Sequence, residues 1–209
     1  MDAAMRPIRL AFIAGLFCLL ATSARAAGPA EHLMPWLEQM RLLLSDPALM
    51  ADGHEREREN RIRDAGMAFL DVDETTRRVL RDHLGSLNAA QQKEFAQLFT
   101  VLLGRMTTPL PPHGDEWAKA ALDRETIDGE FAVVEAHFIL RVQRDVPMTY
   151  RLRLVDGKWK LYDWGALGTS FIVNSRAQVN KVMRLSSFDG LIKVMREQKE
   201  KIDKRWVEK

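Results

Sequence analysis

Residues 146–182 read V-P-M-T-Y-R-L-R-L-V-D-G-K-W-K-L-Y-D-W-G-A-L-G-T-S-F-I-V-N-S-R-A-Q-V-N-K-V, and this stretch decides the fold. From Met148 to Val155 the apolar residues Met148, Tyr150, Leu152 and Leu154 alternate with Thr149, Arg151 and Arg153. Successive side chains of a strand point to opposite faces, so the spacing predicts one apolar row against a core and one charged row in water. Asp156-Gly157 supplies the two residues of positive φ that a tight hairpin needs. Trp159 and Leu161 then return on the buried side, with Lys158 and Lys160 outside. The glycine-broken segment Gly165–Ser170 follows, and a helix is expected over Ser170–Leu185 with Val173, Val179, Val182 and Met183 apolar. The remainder of the chain must cover the apolar face that these strands create.

Working back from the hairpin, Ala120–Ile127 is a strand candidate, and Asp128-Gly129 turns it into Phe131–Val142. Ala132, Val134, Ala136, Phe138, Leu140 and Val142 share one face of that second strand, opposite Glu135, His137 and Arg141. Two Asp-Gly turns thus bracket a meander of about four antiparallel strands, wet on one face and covered on the other. Thr107–Gly114 (T-T-P-L-P-P-H-G) separates this sheet from a helical half.

That half opens with a stripe over His32–Met50 (Leu33, Trp36, Leu37, Met40, Leu43, Leu44), which Pro47 ends or kinks. The mixed-sign run His54–Asp64 reads as a solvated helix face. A short helix around Asp73–Leu84 closes at Gly85, and Asn88 with Gln91 forms a capping box for the next helix. There Phe95, Leu98, Phe99, Leu102, Leu103 and Met106 fall three and four apart. After the sheet, Ser186-x-x-Asp189 predicts the start of a last helix with Phe188, Leu191, Ile192 and Met195 inward, and the mostly charged tail Arg196–Lys209 is expected to fray at its end. The expected fold class is α+β: an antiparallel sheet (117–164) packed against an amino-terminal helical half (30–106) and carboxy-terminal closing helices (170–200).

The first 26 residues read as an address. Arg6 and Arg9 flank the start of an uncharged core, Leu10–Ala21, which is shorter than the roughly 20 residues that a bilayer span takes. Ala24-Arg25-Ala26 places small residues where a signal peptidase reads, so cleavage is expected after Ala26. The only cysteine, Cys18, leaves with this segment, and the expected product 27–209 has neither disulfide nor thiol chemistry. Cleavage also removes three arginines and one aspartate, leaving 28 basic and 28 acidic residues. A formally neutral product has no electrostatic footprint for nucleic acid.

Catalytic patterns are sparse. The five histidines (His32, His54, His83, His113, His137) are dispersed, so neither a metal nor a cofactor is expected. Gly165-x-x-Gly168-x-Ser170 is a loose echo of a nucleophile elbow, and no phosphate-cradling loop follows a strand. Asp163, between Tyr162 and Trp164, is the one carboxylate beside the apolar face; it reads either as a desolvated acid–base group or as the cap of the following turn.

Several runs together resemble one family. They are Phe69-Leu-Asp, Thr76-Arg-Arg-Val-Leu, Ala90-Gln-Gln-Lys-Glu-Phe-Ala-Gln-Leu-Phe, Asp128-Gly-Glu-Phe-Ala-Val-Val, Val146-Pro-Met-Thr-Tyr-Arg-Leu, Gly157-Lys-Trp-Lys-Leu-Tyr-Asp and Gly168-Thr-Ser-Phe-Ile-Val-Asn-Ser-Arg-Ala-Gln-Val. In order and spacing, from Leu33 to Glu197, the chain resembles the MlaC (toluene-tolerance) family of periplasmic lipid-shuttle proteins. It departs from the family at Leu167, where an acidic residue is usual, at Thr169 for valine, Ser175 for tyrosine and Val179 for phenylalanine. Thr107–Lys119 is proline-rich where relatives often carry tyrosines. These departures mark a divergent member and bring in a hopanoid-associated sister branch as an alternative.

The resemblance implies a carrier, not an enzyme. It would take phospholipid through the periplasm between an outer-membrane lipoprotein complex and an inner-membrane ABC permease with its substrate-binding ring, maintaining outer-membrane lipid asymmetry. Lipid tails cost about 0.8 kcal/mol per exposed CH₂, so such a carrier needs an apolar cavity between its layers. Phe138, Leu140, Met148, Tyr150, Leu152, Trp159 and Leu161 would form its sheet wall, and Phe95, Leu98, Phe99 and Leu102 its helix wall. Trp164 and Phe171 would stand at the mouth, and Arg176 would meet the headgroup phosphate or else be a solvated or ion-paired arginine. Two other classes stay open: a cone-shaped α+β isomerase or hydratase using Asp163 and His137, and a chaperone-like module for apolar peptides. Alternation sets His137 and Phe138 on opposite strand faces, which counts against the enzyme.

Overall fold

The computed structural model describes residues 27–106, 117–141 and 145–207. The expected leader, the proline-rich breaker at 107–114 and Val142 lie outside the described residues. Asp156 and Gly157 adopt φ of 49° and 76°, the left-handed pair that joins two twisted strands tightly. They connect β3 (Val146–Val155) to β4 (Lys158–Ala166), and the turn at Gly129 joins β1 (Trp117–Asp128) to β2 (Phe131–Leu140). The strands form the expected antiparallel meander in the order β1-β2-β3-β4. Ala132, Val134, Ala136 and Phe138 of β2, Met148, Tyr150 and Leu152 of β3, and Trp159 and Leu161 of β4 are all buried.

The first cover of this face is α1 (Pro29–Leu44), which approaches β1, β2 and β4 and buries Leu33, Trp36, Leu37 and Met40. Its amino end is tied to the sheet: the Ala30 N–H donates to Glu125 Oε2 of β1 at 2.6 Å, a carboxylate where the helix dipole favours one. Pro47 opens a new helix instead of kinking the old one. It is the first residue of α2 (Pro47–Met50), whose cap is Asp46. The charged run lies on α3 (Glu55–Phe69) with surface pairs such as Glu57–Arg61, and buries Ile62 and Gly66. The expected short helix is α4 (Val72–Val79) followed by one 3₁₀ turn, Arg81–His83. The capping box of α5 (Ala89–Met106) is formed: Asn88 N–H donates to Gln91 Oε1, and Gln91 N–H to Asn88 Oδ1, each at 3.0 Å. The chain closes with α6 (Phe171–Leu185) and α7 (Phe188–Val207).

Several local expectations need correction. Val173 is exposed and Ile172 is the buried residue of the first turn of α6, because Ser170 caps that helix through the Val173 N–H. Ser187 takes the capping position of α7 by accepting from the Gly190 N–H, while Ser186 Oγ donates back to the Val182 carbonyl. Within the charged tail α7 continues to Val207, burying Ile202 and pairing Asp203 with Arg105 and Lys199.

The largest correction concerns the charged row of β3. The β3–β4 register passes from Arg151↔Asp163 to Leu152↔Leu161, so Tyr162 is the extra residue of a β-bulge. Tyr162 and Asp163 thereby both come to the outer face, Tyr162 edge-on to Phe131. Arg151 and Arg153 are bound there by the buried carboxylates of Asp163 and Asp71 and are not simply in water. Arg78 of α4 lies 4.4 Å over the Tyr162 ring, and Glu74, buried beneath it, accepts from both Arg77 and Arg78. The β1–β2 end of the same face is wet as expected, with the pairs Arg124–Glu135 and His137–Asp123.

Two predictions follow from these contacts. A Cβ on Gly165 would stand 2.0 Å from the Thr169 carbonyl oxygen, so Gly165→Ala should cost at least the roughly 1–3 kcal/mol of overpacking. Gly85→Ala meets nothing within 4 Å and should stay within about 1 kcal/mol of wild type; urea unfolding compares the two. Desolvation works against the Glu74 carboxylate, but the Arg77 and Arg78 hydrogen bonds outweigh it and hold its pKa below 4.5. A lowered carboxylate pKa adds stability above the unfolded value and loses it as pH falls through the folded one. The melting temperature of wild type should therefore drop below pH 4.5 more steeply than that of Glu74→Gln.

Candidate functional site

Two residues that the sequence marks for the helix wall, Phe95 and Phe99, meet the two that it marks for the mouth, Phe171 and Trp164, in a ladder of four aromatic rings. Phe95 and Phe99, one turn apart on α5, stack with centroids 5.4 Å apart and planes at 12°. Phe99 meets Phe171 at 6.4 Å, and Phe171 stacks on Trp164 of β4 at 4.5 Å and 9°. Offset-stacked pairs of this kind add about 0.5–1.5 kcal/mol each beyond their burial. The close backbone approaches of α5 are to α3, α4 and α7, so along this ladder it is ring length that joins α5 to β4.

The placement of Phe171 depends on Asp163. Its Oδ1 accepts from the Ile172 N–H at 3.0 Å; its Oδ2 accepts from Ser170 Oγ at 2.7 Å and Arg151 Nη1 at 3.1 Å. The carboxylate, only 4% exposed, thus satisfies the amino end of α6 and pins it to the sheet. This is the capping role, and it engages both oxygens. His137 pairs with Asp123 on the outer face, level with Pro147, four residues along β3 from the Arg151–Asp163 level. That is about 13 Å along the strand, so the two candidate acid–base residues are not brought together, and neither faces the apolar layer.

The other named residues divide by depth. Phe95, Phe138, Tyr150, Leu152 and Leu161 are within 1% of complete burial, and Phe99, Leu102, Met148, Trp159 and Trp164 are at 5–8% exposure. Leu98, Leu140 and Phe171 are half-buried at the margin of the cluster. Arg176 is drawn into the scaffold, its Nε donating to the Arg78 carbonyl at the end of α4 at 3.0 Å. The sequence reading passed over α1 as a wall, although Leu33, Trp36, Leu37 and Met40 are as apolar as the α5 stripe and lie against the sheet. It also missed Asp71, which carried a helix-start signal in Asp71-x-x-Glu74.

With this geometry in place, comparison with known proteins is direct. The family model described as MlaC protein matches residues 37–197. Among solved structures, that of the phospholipid-binding protein from Ralstonia solanacearum, in complex with a phospholipid, is similar in fold. It aligns at a TM-score of 0.67 and 16% identity, over 85% of this chain and 99% of that one. None of the curated proteins matches the chain.

Removing the Asp163 carboxylate strands the Ile172 N–H and a half-buried guanidinium. Asp163→Ala should cost about 3 kcal/mol, and Asp163→Asn, which keeps an acceptor for that N–H, distinctly less. Urea titrations of the two variants check the order.

Proposed function

This chain is a member of the MlaC family, and from that premise we propose that it is a non-enzymatic carrier of phospholipid in the periplasm. The observation that carries this reading is the ring ladder from α5 to β4: an apolar contact between the helix side and the sheet side, made ring on ring. Tails entering between the walls would exchange ring–ring for ring–tail contact while staying out of water, at about 0.8 kcal/mol for each CH₂ kept dry. The similar protein from Ralstonia solanacearum was solved with a phospholipid bound, which supports the same ligand class here.

In this reading Phe138, Leu140, Met148, Tyr150, Leu152, Trp159 and Leu161 line the sheet side, and Phe95, Leu98, Phe99 and Leu102 the helix side. Trp164 and the half-buried Phe171 mark the boundary between tails and headgroup. Arg176, with its Nε engaged, has its remaining N–H groups for a headgroup phosphate. The carrier is exported after cleavage at Ala26. It exchanges lipid with an outer-membrane lipoprotein complex and with an inner-membrane ABC permease through its substrate-binding ring.

Residues 27–209, purified from the periplasm of a bacterial host and extracted with organic solvent, should yield phospholipid near one molecule per protein by lipid mass spectrometry. A hopanoid-producing host, run in parallel, reads out the alternative cargo. Extracts no richer than those of an exported control of similar size, from both hosts, would refute the carrier.

A further inference from the structure

Tyr150 stands in the middle of the covered face, between Val134 of β2 and Trp164 of β4. It is completely buried, and its hydroxyl has no hydrogen-bond partner among the described residues. Phenylalanine would fill this place with the same ring and without the cost of an unpaired hydroxyl in an apolar layer. Folded proteins pair nearly all such groups with protein, water or ligand. Thr76 Oγ1 is also buried without a partner, but a helical threonine has its own carbonyls within a rotation of χ1. The phenol, held at the far end of a rigid ring, has no such fallback.

Burial pushes the Tyr150 phenol above its ordinary pKa, so the group is neutral at any physiological pH and is able to donate. The cross-strand neighbours Val134 and Trp164 contribute hydrocarbon and ring faces and no acceptor, which leaves the hydroxyl free for an acceptor carried by an occupant of the layer. Acyl tails carry no acceptor. The ester carbonyls of a glycerolipid do, and they sit where tails give way to headgroup, the boundary at which Trp164 stands.

We propose that Tyr150 Oη donates a hydrogen bond to an ester carbonyl of the bound lipid, so that the glycerol backbone takes its register beside Trp164 and ester-linked lipids are preferred over ether-linked ones. This assignment rests on the carrier reading and adds to it the linkage class of the cargo.

The test uses the processed chain, stripped of lipid by detergent exchange, as wild type and Tyr150→Phe. The probes are dioleoyl phosphatidylglycerol and the diether analogue with the same headgroup and chain length. Wild type should bind the diester about tenfold more tightly than the diether, and Tyr150→Phe should bind both alike, at the weaker level. Lipid-free Tyr150→Phe should melt no lower than wild type, because none of the described residues loses a partner. Equal binding of diester and diether by wild type overturns the assignment while leaving the carrier intact. So does a Tyr150→Phe variant that melts lower with unchanged diester affinity, which would give the hydroxyl to an internal water. If Tyr150→Phe fails to fold, the diester-to-diether ratio of wild type still decides. Wild type that binds neither lipid removes the carrier reading and this assignment together.

Discussion

Two arginines on one strand, two residues apart, each hold a helix by its amino end. Arg151 binds Asp163, whose other oxygen accepts from the Ile172 N–H of α6. Arg153 binds Asp71, whose other oxygen accepts from the Glu74 N–H of α4. A carboxylate at a helix amino end satisfies an orphan donor and opposes the positive end of the dipole. Here each such carboxylate is also neutralised by a fixed guanidinium, which is what makes its burial tolerable. The strand period spaces the arginines on the same face, so the pleat of β3 sets the separation of the two helix ends. Arg176 and Asn180 of α6 then bind Arg78 and Asp82 beside α4, making the pair of helices one unit.

This arrangement sorts the polar and apolar work of the sheet by face. The anchors that position α4 and α6 lie on the outer face: the two Arg–Asp pairs, the Glu74 cluster and the Arg78 cation over Tyr162. Apart from the Glu125 carboxylate at the amino end of α1, the covered face is left to apolar contact, with Phe171 delivered against Trp164 by the Asp163 cap. Apolar packing is non-directional and adjusts to a new occupant at modest cost, whereas a buried hydrogen-bond network does not. In the proposed carrier, a layer that admits hydrocarbon is therefore walled by rings and aliphatic chains, with most of its scaffold bonds on the outer face.

Much of this was legible in the chain. Alternation at Met148–Leu154 and Ala132–Phe138, the Asp156-Gly157 turn, and the Asn88–Gln91 box are short-range patterns whose physics is local, and each lies where its spacing places it; the first turn sits one residue later than read, on Gly129-Glu130. The misreadings fall where distant segments compete. Arg151 and Arg153 look solvated in sequence because their partners lie 12 and 82 residues away. The same period of two that located β4 would carry Asp163 inward and Trp164 outward; the bulge at Tyr162 reverses both and leaves no mark in composition. For the candidate site, the residues proposed as walls were readable as apolar rows, and they are buried or half-buried. That α1 lies on the sheet while α5 reaches β4 through rings was not, because both helices carry equivalent stripes.

The sequence by itself determined the α+β class, the four-stranded meander and its turns, the apolar rows and the family, because these follow from periodicity, backbone preference and the order of short motifs. Only the tertiary structure decided which helix covers which part of the sheet, that Asp163 is a helix anchor with both oxygens engaged, that Arg176 is bound to Arg78, and that the Tyr150 hydroxyl has no partner among the described residues. Those outcomes depend on three-dimensional competition for a few buried donors and acceptors, which no local spacing encodes.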